Sequence, residues 1–175
     1  MSLTQSRGPR VVVDNQNTPL AILDYENVLR QGLLHRQVIL VLTDQAERII
    51  LHKRPAHAAL YPGRWDCMGS ADIPLHCGAE DMAWALMPAG VQHEHICLRH
   101  VTSLPASADT GNAFVELFCG HVPAWLAQEL LRDLSFLAAD HDEMQALVTS
   151  FPDQLTPTLF LTWNVLCALR KTNAD

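Results

Sequence analysis

The chain has 175 residues, 49% of them hydrophobic and only 18% charged, with a formal net charge of -7. This length and apolar content support one domain with a substantial core and exclude an intrinsically disordered chain. The acidic balance excludes nucleic acid as the main partner, since phosphate backbones need a basic surface, but leaves room for a small phosphorylated ligand in a local basic pocket.

Taken in chain order, residues 1–10 are polar and read as a loose, flexible N-terminus ahead of a single domain over 11–172. "VVVD", "NQNTP" and "LAILDYE" read as strand, turn and strand, with Asn15, Asn17 and Pro19 supplying the turn chemistry. "YENVLRQGLLHR" holds a short helix that ends near Gly32. "QVILVLTDQAERIILHKR" is a hairpin, two β-branched apolar runs about a polar turn. "PAHAALYPGRW" is a loop punctuated by Pro55, Pro62 and Gly63. Residues 79–87 read as a helix stopped by Pro88 and Gly90. "EHICLRHVTSL" and "NAFVELFCGHV" are the next strands. The remainder is helical over about 124–132, 141–150 and 157–171, and Asp140 with Glu143 has the spacing of a capping box. A mixed sheet flanked by helices is the packing this order implies.

No apolar run reaches the ~18 residues expected of a membrane span. "MSLTQSRGPR" lacks the apolar core of a secretory signal. The five cysteines are scattered without a C-x-x-C pair, so they read as reduced thiols of a cytoplasmic protein. Nine histidines invite a metal reading. His93 and His95 alternate on one face of an expected strand and His100 has the other parity; two ligands without a third do not define zinc.

From His35 to Val91 the order of features resembles the Nudix superfamily, and within it the branch containing isopentenyl-diphosphate isomerase. The matching pieces are "LLHR" (Leu33–Arg36), "LHKR" (Leu51–Arg54), "LYPGRWD" (Leu60–Asp66) and a glycine-bearing loop leading to a helix that ends in "GV"; the tail "FPDQLTPTLFLTW" extends the likeness. The resemblance implies an α/β (α+β) fold, a Nudix-type α/β/α sandwich with a mixed β-sheet flanked by helices. It also implies metal-dependent hydrolysis of a nucleoside diphosphate linked to another moiety, with Mg²⁺ or Mn²⁺ as cofactor.

The family signature is Gly-x5-Glu-x7-Arg-Glu-U-x-Glu-Glu-x-Gly-U. Glutamates three and four apart share one helix face and offer hard oxygen ligands to the metals, which neutralise a diphosphate and activate water. Anchored on Gly90 and Val91, the pattern begins at Gly69. Leu75 then takes the first Glu, Ala83 and Trp84 the Arg-Glu pair, and Met87 and Pro88 the Glu-Glu pair. Glu80 and Asp81 are the substitute metal-ligand candidates, although acids in a first helical turn also suit the positive end of the helix dipole. In the isomerase branch Arg54 matches a diphosphate-holding arginine, while the lysine expected four residues later is Ala58. Met68 stands where the isomerase cysteine belongs, with Cys67 displaced by one. His35 matches one metal histidine and Ser70 replaces another; Phe114 and Glu116 occupy the positions of two glutamates. Isomerase activity is therefore not expected.

Glu116, an acid inside the apolar run "FVELF", is the candidate general base, and the alternative reading is an outward-facing polar residue in strand alternation. Arg54, His52, His57 and Trp65 are the candidate ligand contacts. Two functions from different classes follow. One is a catalytically impaired Nudix homologue that binds a nucleotide or prenyl-diphosphate type of ligand, or a protein partner, with homodimerisation permitted. The other is an active hydrolase whose metal is held by noncanonical acids drawn from Glu80, Asp81, Asp72 and Glu116.

Overall fold

The computed structural model describes residues 8–58, 60–89 and 91–172. In chain order the elements are β1 (Arg10–Val13), β2 (Pro19–Leu23), α1 (Tyr25–Gln31), β3 (His35–Thr43), β4 (Ile49–Lys53), β5 (Trp65–Asp66), β6 (Gly69–Asp72), α2 (Ala79–Ala85), β7 (Leu98–Leu104), β8 (Ala113–His121), α3 (Ala124–Leu130), β9 (Phe136–Ala139), α4 (His141–Ser150) and α5 (Pro157–Thr172). Single 3₁₀ turns lie at His93–His95 and Pro152–Gln154. The class is the expected α+β, with helices accompanying a mixed sheet. None of the helices is long and apolar enough to cross a membrane, among the described residues.

The chain forms two compact units. One comprises the N-terminal part through Val41 with Met68–Gly120; the other comprises Leu42–Cys67 and the chain from His121 onward. Strand β3 gives residues 35–41 to the first and 42–43 to the second. Its run Val38–Leu42 is at most 2% exposed throughout. Such an unbroken aliphatic strand fits a position covered on both faces rather than a half-solvated one.

In the first unit β1 pairs antiparallel with β2 and, at Val12↔His35, with β3. β6 pairs with β3 in the register Gln37↔Asp72 to Leu40↔Gly69, and β8 pairs with β3 and β7. Helix α1 ends at Gly32, whose φ of +61° is the left-handed conformation that glycine adopts without penalty. The Leu33 N–H then closes back to the Val28 carbonyl at 3.0 Å. At Gly69 the backbone comes close to α2: a Cβ there would stand 3.0 Å from Leu86 Cδ2, and that side chain would have to give by a few tenths of an ångström. That close approach seats the end of α2 on β6.

In the second unit β4 pairs with the end of β3, with β5 (His52↔Asp66, Lys53↔Trp65) and with β9 (Ile49↔Ala139 to His52↔Phe136). Met144 of α4 and Leu159 of α5 are fully buried in this unit. The expected capping box of α4 is present in both directions. The Glu143 N–H donates to Asp140 Oδ1 at 2.8 Å, and the Asp140 N–H donates to Glu143 Oε2 at 2.9 Å.

Several expectations need correction. Arg10 is 7% exposed and opens β1 rather than belonging to a loose terminus; residues 1–7 lie outside the described residues. Trp65, read as the end of a loop, opens the short strand β5, and β6 follows at Gly69, because backbone pairing to β4 and β3 overrides weak local propensity. "FLAA" forms β9, a four-residue run too short to be told from helix by periodicity. α2 stops at Ala85, two residues early, ahead of Pro88. His93 and His95 lie on a 3₁₀ turn, not a strand, and β7 begins only at Leu98. Gly90, the anchor of the signature alignment, lies outside the described residues. Replacing Asp140 with Ala removes one arm of the capping box and should lower stability by about 1 kcal/mol in urea unfolding.

Candidate functional site

In the first unit, three strands bring Arg10, His35 and Asp72 together. Arg10 Nε donates to Asp72 Oδ2 at 2.7 Å. Arg10 Nη1 lies 2.9 Å from His35 Nε2, and His35 Nδ1 lies 3.1 Å from the Leu33 carbonyl. A guanidinium can only donate. His35 is therefore the neutral tautomer with its proton on Nδ1, given to Leu33, and its Nε2 lone pair accepts from Arg10. Burial pushes the imidazole down to about 4, with Arg10 adding to the shift. The guanidinium also stacks 4.4 Å from the centroid of Tyr25.

This arrangement decides what His35 and Asp72 can hold. The lone pair a metal would need on His35 is taken. Asp72 is neutralised by a permanent cation, and although its Oδ1 is buried without a partner, the adjacent guanidinium repels a divalent ion from that oxygen.

The other candidate acids of this unit do not join Asp72 in a ligand set. Asp81 turns back to accept the Gly78 N–H at 3.1 Å, a capping interaction at the start of α2. Glu80 points to solvent in the same turn. Trp84, in the place of a signature glutamate, stacks on His93 with ring centroids 3.8 Å apart. Met87 is buried. The described residues contain no group of three or more His, Cys, Asp or Glu placed to hold a metal ion.

Glu116 has a different setting. Its Oε2 accepts from Ser103 Oγ at 2.6 Å and lies 2.7 Å from His100 Nε2. His100 and Ser103 are three apart and would face opposite ways in a regular strand. The register shift between His100 and Thr102 supplies one extra residue, so His100 opposes Phe118, Ser103 opposes Glu116, and both reach the same carboxylate. Only the neighbourhood of Glu116 was legible in the sequence; the bulge that recruits His100 and Ser103 leaves no mark in it.

In the second unit Asp66 is 8% exposed and accepts three bonds: from Thr156 Oγ1 at 2.7 Å, the Cys67 N–H at 2.9 Å and Arg54 Nη1 at 3.0 Å. Burial pushes its carboxyl up from the usual range, against the pull of Thr156 and Arg54. Arg54 also donates from Nε to the Leu60 carbonyl at 2.9 Å. Cys67 is buried and its thiol is pushed upward by that burial, so it is no nucleophile at neutral pH.

His52 is buried against Phe136, with centroids 5.0 Å apart, and burial pushes it down as well. Trp65 is half-buried beneath Lys53, whose Nζ lies 5.5 Å from the ring centroid. Arg64 stands 5.4 Å from the Tyr61 ring centroid and donates to the Leu155 carbonyl at 3.2 Å. His57 is exposed on the same loop. The four sequence candidates of this unit thus fall on one hairpin and its loop, with Arg54 and His52 already engaged. Lys53 and Arg64 are the contacts that sequence reading missed.

DR0079 from Deinococcus radiodurans is structurally similar, with a TM-score of 0.70 at 13% identity over 89% of this chain and 97% of that one. RenU, a Nudix hydrolase from M. smegmatis, gives a TM-score of 0.53 at 14% identity over 94% of this chain and 96% of that one. No family model and no curated protein matches the sequence.

Two outcomes are expected. Asp66→Ala strands the half-buried Arg54 charge and should cost about 3–5 kcal/mol in chemical denaturation. His35 has a folded-state value below its unfolded 6.5, so its contribution is complete above that pH and is lost as pH falls toward about 4. Unfolding free energy should therefore drop by about 2 kcal/mol between pH 7 and pH 5, and His35→Gln should flatten the drop.

Proposed function

We propose that this chain, whose fold is that of the Nudix hydrolases, does not perform metal-dependent diphosphate hydrolysis and acts as a ligand-binding or protein-interaction module. One observation carries this reading. The helix that would present the metal pair ends at Ala85, and the residues in the pair's positions are a buried methionine and a proline. Residues of that kind cannot hold Mg²⁺ or Mn²⁺.

The donor set elsewhere does not fit a metal either. Asp72 pairs with Arg10, Asp81 caps α2 and Glu116 binds His100 and Ser103. The natural ligand class is a nucleotide or prenyl-diphosphate type of molecule. The reading also includes a cytoplasmic protein, which the five free thiols suit.

The test is a turnover screen with Mg²⁺ or Mn²⁺ against ADP-ribose, dinucleoside polyphosphates, NADH and CoA. No turnover is expected, together with a rise in melting temperature when a bound nucleotide or prenyl diphosphate is present. Hydrolysis that disappears in Glu116→Gln or Glu80→Gln would sink the proposal and return the reaction to those acids.

A further inference from the structure

Residues 48–65 contain no Asp or Glu but hold Arg48, Lys53, Arg54 and Arg64, four of the chain's 12 cationic residues. Arg48 and Arg54 are matched by Asp44 and Asp66. Lys53 and Arg64 have no ion pair among the described residues. Each is instead laid against an aromatic ring, Trp65 and Tyr61. Leu60 and Tyr61 at the tip of this turn are both 41% exposed. The surface is thus a basic, aromatic and apolar patch on an acidic protein. Tyr and Arg are the residue types that anchor protein interfaces.

The same unit carries an open pocket of about 270 Å³ lined by Ala46, Glu47, Asp140, His141, Asp142 and Arg170. Three carboxylates face one guanidinium there, so the pocket is net acidic.

Backbone strain singles out the same two surfaces. Among the described residues, four other than glycine have positive φ: Asn17, Glu47, Tyr61 and Asn112. Asparagine tolerates the left-handed region; glutamate and tyrosine do so at a cost. The two costly positions are Glu47 (φ 58°) in the pocket and Tyr61 (φ 50°) on the basic patch. Strain of this kind persists where a particular side-chain presentation is being held.

We propose that the Leu60–Trp65 turn of one copy docks into the Glu47–Asp140–Asp142 pocket of a second copy of this chain. Two chains of net charge -7 repel at long range, so association requires local complementarity, and these two surfaces supply opposite charge. Arg64 and Lys53 meet the carboxylates, while Leu60 and Tyr61 provide apolar contact at the centre.

Sedimentation velocity on the full chain tests this at about 50 mM and about 500 mM salt, between which screening of surface charge becomes severe. The wild type should associate at low salt and dissociate at high salt. Arg64→Glu and Asp142→Arg should each weaken association by at least about tenfold, and an equimolar mixture of the two variants should associate again. Lys53→Glu, at an exposed side chain, repeats the first arm if Arg64→Glu melts early. A wild type that is single-chain at both salts overturns the proposal, as does an oligomer indifferent to salt and to both reversals. A variant mixture that stays dissociated overturns it too.

Discussion

The carboxylate of Asp66 organises the second unit. It sits out of water and is satisfied by the main chain beside it, by the hydroxyl that opens α5 and by the guanidinium at the end of β4. Thr156 serves twice, donating to Asp66 and accepting the Leu159 N–H in the first turn of α5. One buried charge therefore fixes the start of the last helix against a strand some ninety residues earlier in the chain. It also explains why Arg54 is ill placed to bind an external anion. A guanidinium committed to a buried carboxylate cannot leave it without stranding that charge.

The first unit uses the reverse logic. There a buried cation, Arg10, is the centre, with Asp72, His35 and Tyr25 arranged around it. His35 and Asp72 are thus both committed to internal bonding around this cation.

The parts legible in the sequence are those set by local rules. The glycine stop of α1, the β3–β4 turn, the capping box of α4 and the proline limit on α2 each depend on a few adjacent residues. The parts that were not legible depend on distant partners. β5, β6 and β9 are strands because β3 and β4 offer them backbone groups. Arg10 reads as the end of a polar tail until Asp72 and His35 are seen beside it. Asp66 was visible only as part of a family motif, since nothing near it announces Thr156.

The bulge in β7 makes the Ser103–Glu116–His100 cluster a matter of spacing more than of composition. Its members would all survive deletion of Val101, yet the strand would regain its plain alternation and turn one of His100 and Ser103 to the opposite side of the sheet. Relatives of this chain that keep all three residue types but lack the extra residue would not share the cluster. Chain length between His100 and Ser103 is thus as informative as the identities of the residues themselves.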